Sequence, residues 1–425
     1  RALRVSNIID EKVGSGSMDP ASGYHNVPPL SAVPGRTVLA GTVGGVVGFL
    51  LGHVFGLHPL ISMLVMLVGA AGPMWWLEYR RMAIRESPPA TMNSGSSAGR
   101  LGGGLVAVLM LAISMQAQLW IGGGAPVASI AVVASVILPG CLAWLIWLRY
   151  SPAFANDDSV ERLREATLNL LRLRRLDVRQ QQAFLGWAVK AFFLPLMLAW
   201  LYDWLVAPAE QGKGIEGWWL IFLMSMSALY ALDTLFGTIG YISASRLIDS
   251  HIRSTDSTWL GWISALACYP PFSAVILRQW LDYRDGLDWQ LWLVDSVLAP
   301  LWAAAIVGLT LIYTWATLAF GPRFSNLTNR GIITSGPYRW TKHPAYISKN
   351  LSWWLIAVPF VSEQGALAAM TNCLALLGVN GIYWLRAKTE ERHLMQDPVY
   401  REYAAWIARF GWWARCKRAL GFSVK

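Results

Sequence analysis

Two polar segments in the last third of this chain contain the residue types that could do chemistry. The first, from Gly331, reads Gly-Ile-Ile-Thr-Ser-Gly-Pro-Tyr-Arg-Trp-Thr-Lys-His-Pro-Ala-Tyr and is rich in turn-forming residues. The second, from Arg386, reads Arg-Ala-Lys-Thr-Glu-Glu-Arg-His. Together they provide carboxylates that can bind an ammonium group, cationic donors for an anion, and histidines for proton transfer.

A long apolar stretch joins the two segments. The 37 residues from Asn350 to Arg386 are almost wholly apolar and contain a break at Gly365, which is close to the length of two membrane crossings. Such a hairpin returns the chain to the side from which it started, so its entry and exit are predicted to lie together. The residues concerned are Lys342, His343, Tyr346, Arg386, Glu390 and Glu391.

The composition of the whole chain indicates a membrane setting. Of its 425 residues, 55% are hydrophobic and only 14% are charged, which is too apolar for a soluble domain. We therefore predict an all-α, polytopic bundle of about ten transmembrane helices, an integral multi-pass membrane protein. The spans are placed at about 37–57, 59–79, 101–122, 126–148, 187–206, 217–241, 259–280, 290–320, 350–362 and 365–386.

The distribution of Lys and Arg predicts how these helices are oriented. The connections at 80–100, 149–186, 242–258 and 321–349 hold most of the cations, so they are predicted to be cytoplasmic. Ten crossings would place both termini on the same side as these connections. The formal charge of +10 then reflects topology and contact with anionic membrane lipids, and we expect no nucleic-acid partner.

The chain divides into four regions, which are a polar N-terminal extension at 1–36, an N-terminal transmembrane region at 37–186, central transmembrane helices at 187–289 and a C-terminal module at 290–425. Within the second region, residues 85–100 have the Ser, Gly and Pro content of a flexible loop. Residues 159–180 are amphipathic, a pattern that suits either the headgroup surface or packing against neighbouring loops.

The C-terminal module carries an ordered set of motifs. These are Gly336-Pro337-Tyr338, Lys342-His343-Pro344-Ala345-Tyr346, the hydrophobic hairpin, Glu390-Glu391 and Tyr400-Arg401-Glu402-Tyr403. The set resembles the signature of the isoprenylcysteine carboxyl methyltransferase and phospholipid methyltransferase superfamily of membrane enzymes. The resemblance covers roughly residues 290–410 and leaves the N-terminal spans unexplained.

The resemblance implies a methyltransferase that uses S-adenosyl-L-methionine on the cytoplasmic side, with a lipid-like or isoprenoid substrate entering from the bilayer. It implies catalytic roles for Glu391 and His343. Arg386 is a third catalytic candidate because it lies one turn before Glu390 on the same helical face, where it could pair with that glutamate or hold an acidic group of the substrate. The residues it assigns to the cofactor are Gly336, Pro337, Tyr338, Lys342, His343, Pro344, Tyr346, Glu390 and Glu391. A carboxylate acceptor would need no general base, whereas an amine or phenol would need one such as His343, Glu391 or His393.

The chain also departs from the family pattern. Lys342 stands where the family usually has Arg, which removes the planar fork of a guanidinium. Ser348, Lys349 and Asn350 add polarity where Gly, apolar or aromatic residues are usual. The entrance to the substrate-binding site is therefore predicted to differ from that of prenyl-protein methyltransferases.

Three polar residues in or beside apolar runs are candidates for a substrate pocket, namely Asp233, Asp295 and Asn350. Burying a charged side chain inside a membrane span costs free energy, so the charged residues that are found there commonly have a function. Hydrogen bonding between helices is the alternative role for the two aspartates.

Two other patterns are given little weight. The cysteines Cys141, Cys268, Cys373 and Cys416 are widely scattered, so no metal site is expected. The glycosylation sequon that begins at Asn326 falls in a connection predicted to be cytoplasmic, where this modification does not occur.

Two other classes of function stay open at this point. An NADPH-dependent oxidoreductase related to sterol reductases would have a similar number of spans, but those enzymes usually place Asn before Tyr after His-Pro, whereas Ala345 stands there in this chain. A membrane transporter or scaffold with a degenerate cofactor site is the third possibility.

Overall fold

The structure is a computed structural model that consists almost entirely of helices joined by compact connections. It describes residues 27–85, 97–122, 125–150, 158–284, 287–293 and 296–421. The regular structure outside helices in these ranges is one antiparallel pairing of two-residue strands, β1 at Ser254–Thr255 and β2 at Thr328–Asn329. The predicted all-α class is confirmed.

The first seven helices form the larger part of the bundle. They are α1 (Gly35–Val54), α2 (Pro59–Arg85), α3 (Ser97–Gly122), α4 (Ala125–Tyr150), α5 (Ser159–Leu171), α6 (Val178–Gln211) and α7 (Trp218–Ile242). The largest apolar core joins all of these except α5. The hairpin of α1 and α2 is especially tight, because a Cβ added at Gly44 would lie 1.9 Å from the carbonyl oxygen of Gly69.

The remaining helices surround the motif-bearing connection. They are α8 (Trp259–Leu266), α9 (Phe272–Gln279), α10 (Trp289–Trp292), α11 (Ala299–Leu318), α12 (Pro344–Ala357), α13 (Ala366–Leu394), α14 (Pro398–Phe410) and α15 (Trp412–Ala419). Short 3₁₀ turns lie at Arg246–Ile248, Gly321–Arg323 and Gly336–Arg339.

Eight helices in the described ranges are long and apolar enough to cross a membrane, namely α1, α2, α3, α4, α6, α7, α11 and α13. The chain is therefore an integral, multi-pass membrane protein. The predicted span at 259–280 consists of α8 and α9, each of 8 residues, because Pro270 and Pro271 interrupt the helix between them. The position of the two termini relative to the membrane stays a prediction.

The predicted ninth span is also shorter than a crossing. It corresponds to α12, which has 14 residues and a length of about 21 Å, less than the ~30 Å of the hydrocarbon core. The helix ends at Ala357, and the chain then turns through Val358, which has a φ of 38°. The predicted break at Gly365 is present, since α13 begins at Ala366 directly after it.

The amphipathic segment predicted at 159–180 is divided into two helices. The first, α5, buries Val160, Leu163 and Ala166 against α3 and α6. The second begins α6 at Val178, where Asp177 forms a capping box with Gln180. Packing against neighbouring helices is thus the arrangement observed for the apolar side of α5.

Some predictions fall on residues outside the described ranges. They concern residues 1–26 of the N-terminal extension, residues 86–96 of the loop at 85–100, and Asp295.

The connections predicted to share one side of the membrane do lie against one another. The pairing of β1 with β2 joins the connection at 242–258 to the connection at 321–349. Arg323 also lies 3.0 Å from Asp249 and 3.9 Å from Glu78 at the end of α2. These connections therefore form one face of the protein, on which the motifs are displayed.

The N-terminal segment at 27–34 packs on this face. The amide of Ala32 donates to the carbonyl oxygen of Ile332 at 2.9 Å, and the hydroxyl of Thr334 donates to the carbonyl oxygen of Pro29 at 2.6 Å. This part of the predicted extension thus supports the connection that precedes the Gly336 motif.

Arg330 binds several backbone carbonyl groups in and around the connection at 321–349. Its guanidinium is buried and donates to the carbonyl oxygens of Ser250 at 2.7 Å, Phe324 at 2.9 Å and Pro322 at 3.0 Å, and also to that of Gly240. Burial, with a smaller contribution from the nearby Arg323, lowers the pKa of Arg330 to about 9, so the group remains cationic at neutral pH.

We expect Arg330→Met to destabilise the protein by about 3–5 kcal/mol, because several buried carbonyl oxygens lose their donor at once. Thermal unfolding in detergent micelles measures the loss. Arg339→Met is the matched control, since Arg339 is exposed in the same connection and its loss should cost less than about 0.5 kcal/mol. Equal unfolding midpoints for the two variants would contradict the structural role of Arg330.

The N-terminal helices enclose a large apolar cavity of about 900 Å³, which we call the N-terminal cavity. It is lined by α2, α3, α4, α6 and the end of α7, and Tyr241 of α7 lies in its wall. Lys190 also lines it and lies 3.9 Å above the ring of Trp187.

Candidate active site

Glu391 joins the polar connection to the end of α13. One of its carboxylate oxygens lies 2.7 Å from Nζ of Lys342, and the other lies 2.8 Å from Nε2 of His343. Lys388, one turn earlier on α13, lies 3.6 Å from the same carboxylate. We call this arrangement the Glu391 clamp. It holds the start of α12 against α13 across 48 residues of sequence.

Glu390 makes a separate contact with α12. The hydroxyl of Tyr346 donates to Oε2 of Glu390 at 2.6 Å, and the Tyr346 ring stacks on His343 with 5.5 Å between ring centroids. Pro344 occupies the first turn of α12, where its missing N–H costs nothing, and so it sets the helix start directly after His343. Within the described part of the chain, the other oxygen of Glu390 has no hydrogen-bond partner.

Arg386 is buried one turn before Glu390, and it does not pair with that glutamate. Its guanidinium donates to the side-chain oxygen of Asn326 and lies 3.4 Å from the Tyr269 hydroxyl. It also lies 5.1 Å from the centroid of the Tyr346 ring. The expected proximity of Arg386 to the hairpin entry is therefore observed, but its hydrogen bonds go to neutral groups.

The Gly336-Pro337-Tyr338 motif forms a turn beside these residues. Gly336 has a φ of 61°, a conformation that favours glycine, and it begins the 3₁₀ turn Gly336–Arg339, of which Pro337 is the second residue. Tyr338 is buried, and its backbone carbonyl accepts a hydrogen bond of 2.8 Å from the Tyr403 hydroxyl. Burial raises the pKa of the Tyr338 phenol well above its ordinary value, and the nearby Glu390 adds to this.

A cavity of about 100 Å³, which we call the site cavity, is lined by Tyr338, Tyr346 and other residues of these motifs, but Gly336, Pro337 and Glu391 do not line it. Its walls come from α8, the connection at 321–349, α11, α12 and α13. Polar residues that face it include Asn326, Lys342, His343, Lys349, Arg386 and Glu390. Because a low-dielectric enclosure strengthens electrostatic interactions, charged groups inside it can bind a charged ligand firmly.

The C-terminal part of the chain matches a known family. Residues 298–396 match the family model of isoprenylcysteine carboxyl methyltransferases (ICMT). This segment is an ICMT-family domain. No curated protein and no solved structure gives a significant match to the chain. The predicted family is confirmed, and membership of this domain in it indicates a membrane methyltransferase.

The ICMT domain contains the Glu391 clamp, the pair of Tyr346 with Glu390, and Arg386. It does not contain the whole site cavity, since Tyr269 at the opposite wall precedes residue 298. The cavity is thus built jointly by the ICMT domain and by the chain before it.

Two of the three substrate-pocket candidates, Asp233 and Asn350, lie in the described ranges, and neither lines the site cavity. Asp233 is buried in α7 and accepts a hydrogen bond of 2.7 Å from Tyr313, whose side chain does line the cavity. Asn350 accepts from Asn380 at 2.9 Å, and Asn380 in turn accepts from Trp354. Asn350 therefore takes part in a hydrogen-bond chain between α12 and α13, outside the residues that line the cavity.

Two cavity residues have no role in the sequence-based prediction. Asn326 accepts from Arg386, and its amide groups donate to the Tyr241 hydroxyl at 2.8 and 3.1 Å. Its place in a polar connection is a signal for a site residue, but the sequence pattern around it also matches a glycosylation sequon. Tyr269 gave no such signal, because it lies in a run interpreted as a membrane span.

His393 and the cysteines complete the survey of reactive side chains. His393 is buried at one end of the cavity, and its Nε2 lies 3.2 Å from the Ser254 hydroxyl. The four cysteines are free, and no group of three potential metal ligands occurs among the residues that the structure describes.

Proposed function

We propose that this protein transfers a methyl group from S-adenosylmethionine to a lipid-like acceptor at the cytoplasmic face of the membrane. The observation that carries the proposal is that Lys342, His343, Tyr346 and Glu390 of the ICMT domain line one cavity, with Lys342 and His343 held by Glu391. These residues come from the two ends of a hydrophobic hairpin, so the cavity lies where an apolar phase meets a polar face.

The donor set in the cavity fits the amino-acid part of this cofactor. The uncommitted oxygen of Glu390 is suited to the ammonium group, because a carboxylate forms a charge-assisted hydrogen bond with it. Lys342 provides a donor for the carboxylate, because its ammonium group has N–H groups beyond the one that it gives to Glu391. The rings of Tyr338 and Tyr346 provide the aromatic surfaces that favour a positively charged sulfonium.

The two glutamates then have different tasks. Glu391 is already occupied by Lys342 and His343, so we assign it a positioning role rather than contact with the ammonium group. Glu390 is held in one orientation by Tyr346 and keeps one oxygen for binding. Gly336 and Pro337 contribute by setting the turn that presents Tyr338.

The cofactor supplies an electrophilic methyl group on a positively charged sulfur. In the transfer, the carbon–sulfur bond would break as the bond to the acceptor forms, and its electron pair would stay on sulfur. An acceptor that is already anionic needs no proton removal, so the residues act mainly by placement and by exclusion of water. Arg386 can hold the acceptor, since its guanidinium faces the cavity without a carboxylate partner.

The lipid-like nature of the acceptor is supported by the position of α12. Its first turns carry cavity residues, whereas Ile347 and Leu351 on the same helix are half exposed. An amphiphile could therefore place its headgroup in the cavity and leave its chain in the bilayer.

Calorimetry on the purified protein tests the cofactor. We expect one equivalent of S-adenosylhomocysteine to bind, and NADPH not to bind. NADPH binding without S-adenosylhomocysteine binding would favour an oxidoreductase, and binding of neither would favour a transporter or scaffold. Unchanged affinity for S-adenosylhomocysteine in both His343→Ala and Glu390→Ala would show that the site is wrongly assigned.

Incubation of membrane lipid extracts with cofactor labelled on the methyl group tests the acceptor. We expect label in the organic phase that depends on the protein, and mass spectrometry then identifies the product. Label confined to water-soluble products would contradict a lipid acceptor.

A further inference from the structure

The N-terminal cavity is built by chain outside the ICMT domain, since the described residues that line it all lie between Leu67 and Ile248. Its volume of about 900 Å³ is within the ~300–1,000 Å³ range of protein pockets that bind small molecules. No step proposed for methyl transfer uses this cavity. What it binds is therefore independent of the proposed reaction.

The cavity extends from the face that displays the motifs to the middle of the helices. On α2 its lining residues run from Tyr79, at the face end, to Leu67. On α4 they run from Leu148, near the end of the helix, to Val136. Each run corresponds to about 18 Å of helix, which is close to the ~15 Å of hydrocarbon in one leaflet of a bilayer. The cavity thus has the depth of a single leaflet.

The described residues at the deep end of the cavity are apolar. Leu111, Ile137 and Leu198 line it and also belong to the largest apolar core, which closes the cavity at this depth. Water is a poor occupant here, because a buried water needs about two to four polar partners. An empty apolar cavity is also unfavourable, since its cost rises with its volume. This end therefore favours a hydrocarbon chain, which the surrounding bilayer supplies.

The face end of the cavity carries polar groups. Ser243 and Ser245 line it directly after the end of α7 and provide hydroxyl groups. Lys190 of α6 points towards the same end, because its ammonium group lies 3.9 Å from the ring centroid of Trp187, which is nearer the start of the helix. The cavity thus has one polar end and one apolar end, as an amphiphile does.

The charge that faces the cavity is positive. Lys190 is the one charged residue that lines it within the described part of the chain. Three carboxylates that neighbour lining residues in sequence, Glu78, Asp158 and Asp249, do not line the cavity and lie 2.5–3.3 Å from arginine side chains. An anionic headgroup at the face end is therefore favoured over a neutral or zwitterionic one.

We propose that the N-terminal cavity binds one membrane lipid with an anionic headgroup. The headgroup lies at Lys190, Ser243 and Ser245, and an acyl chain fills the deep end. The lipid comes from the leaflet that adjoins the motif-bearing face, and it is a bound component of the N-terminal helices that is distinct from the methyl acceptor. The part of the chain outside the ICMT domain is thereby assigned a lipid-binding function.

Photo-crosslinking of the full-length protein in nanodiscs tests the proposal. The nanodiscs consist of phosphatidylcholine with a trace of phosphatidylglycerol that carries a diazirine at the end of one palmitoyl chain, and a matched set carries this diazirine on phosphatidylcholine. We expect crosslinks in the peptides that contain Leu67, Val136 or Leu198. Phosphatidylglycerol should give about five times as many of them as phosphatidylcholine, the ratio expected for contact with one lysine. Excess unlabelled phosphatidylglycerol should abolish these crosslinks.

Two variants of Lys190 and one control test the charge. Lys190→Met should reduce the preference for phosphatidylglycerol to less than about twofold, because the cation is lost. Lys190→Arg keeps the cation and should preserve the preference. Lys213→Met removes an exposed cation from the connection between α6 and α7 and should have no effect.

Gly140→Trp tests the space inside the cavity. Gly140 lines the cavity, and a Cβ added there meets no atom within 4 Å, so the large side chain can occupy the cavity without displacing backbone. Deep-end crosslinks from both lipids should fall at least about tenfold. Gly72→Trp is the matched control, since a Cβ at Gly72 also meets no atom within 4 Å but this residue of α2 does not line the cavity.

Equal crosslinking by the two lipids in the wild type would overturn the assignment of an anionic headgroup. The site itself would be overturned by absence of deep-end crosslinks, by failure of unlabelled phosphatidylglycerol to compete, or by undiminished crosslinks in Gly140→Trp. Unfolding midpoints in detergent show whether the variants are folded. The competition experiment uses the wild type alone, so its outcome does not depend on the folding of any variant.

Discussion

Replacing Glu390 by alanine is expected to reduce the affinity for S-adenosylhomocysteine at least about 100-fold. A tenfold change in affinity corresponds to about 1.4 kcal/mol, so this loss lies within the range for removing a hydrogen bond to a charged group. The physical reason is that Tyr346 fixes one oxygen of Glu390 and leaves the other for the ammonium group of the ligand. Titration calorimetry measures the effect.

Two further variants isolate this contribution. Glu363→Ala removes an exposed carboxylate from the loop between α12 and α13 and should leave the affinity unchanged. Tyr346→Phe keeps the Glu390 charge but loses its orienting hydroxyl, so its effect should be smaller than that of Glu390→Ala. If Glu390→Ala binds S-adenosylhomocysteine like the wild type, Glu390 is not the ammonium partner.

Replacing Arg386 by methionine is expected to lower the rate of methyl transfer by about 100- to 1000-fold and to change S-adenosylhomocysteine affinity less than about threefold. Arg386 is anchored by Asn326 and Tyr269 and not by Glu390, so its loss should disturb the acceptor more than the cofactor. Transfer of labelled methyl into the lipid extract gives the rate, and calorimetry gives the affinity.

The controls for Arg386 separate charge, geometry and folding. Arg386→Lys keeps the charge but loses the planar fork, so it should recover only part of the activity. Arg179→Met removes an exposed cation at the start of α6 and should have no effect. A parallel loss of rate and cofactor affinity in Arg386→Met would contradict an acceptor-specific role.

The position of Arg386 also connects the ICMT domain to the rest of the bundle. Asn326 accepts from Arg386 and donates to Tyr241, and Tyr241 lies in the wall of the N-terminal cavity. A single chain of hydrogen bonds thus runs from the site to the part of the protein that the family match does not cover.

Much of the site could be predicted because the length of the apolar stretch between the two motif segments indicates a hairpin. The entry and exit of an apolar hairpin lie on one side even though its first arm, α12, is shorter than a crossing, and so His343 and Tyr346 meet Glu391 and Glu390 as expected. The all-α membrane class followed from composition, since a chain this apolar must satisfy its backbone hydrogen bonds within helices or a closed barrel.

The number of spans was harder to predict, because the mean hydropathy of a stretch of residues does not show whether its helix is interrupted. The run at 259–280 is apolar enough for a span, yet the two prolines divide it into α8 and α9. This division places Tyr269 at the site cavity. A continuous helix over residues 259–280 would not be expected to place Tyr269 at the site cavity.

The sequence by itself determined the membrane class, the family of the C-terminal domain and the pairing of the two motif segments, because each depends on composition or on spacing along one hairpin. Only the tertiary structure decided that Glu391 binds Lys342 and His343, that Asn350 lies outside the site cavity, and that Lys349 lines this cavity. These outcomes depend on which neighbours a side chain meets across helices far apart in sequence, and periodicity within one helix carries no information about that.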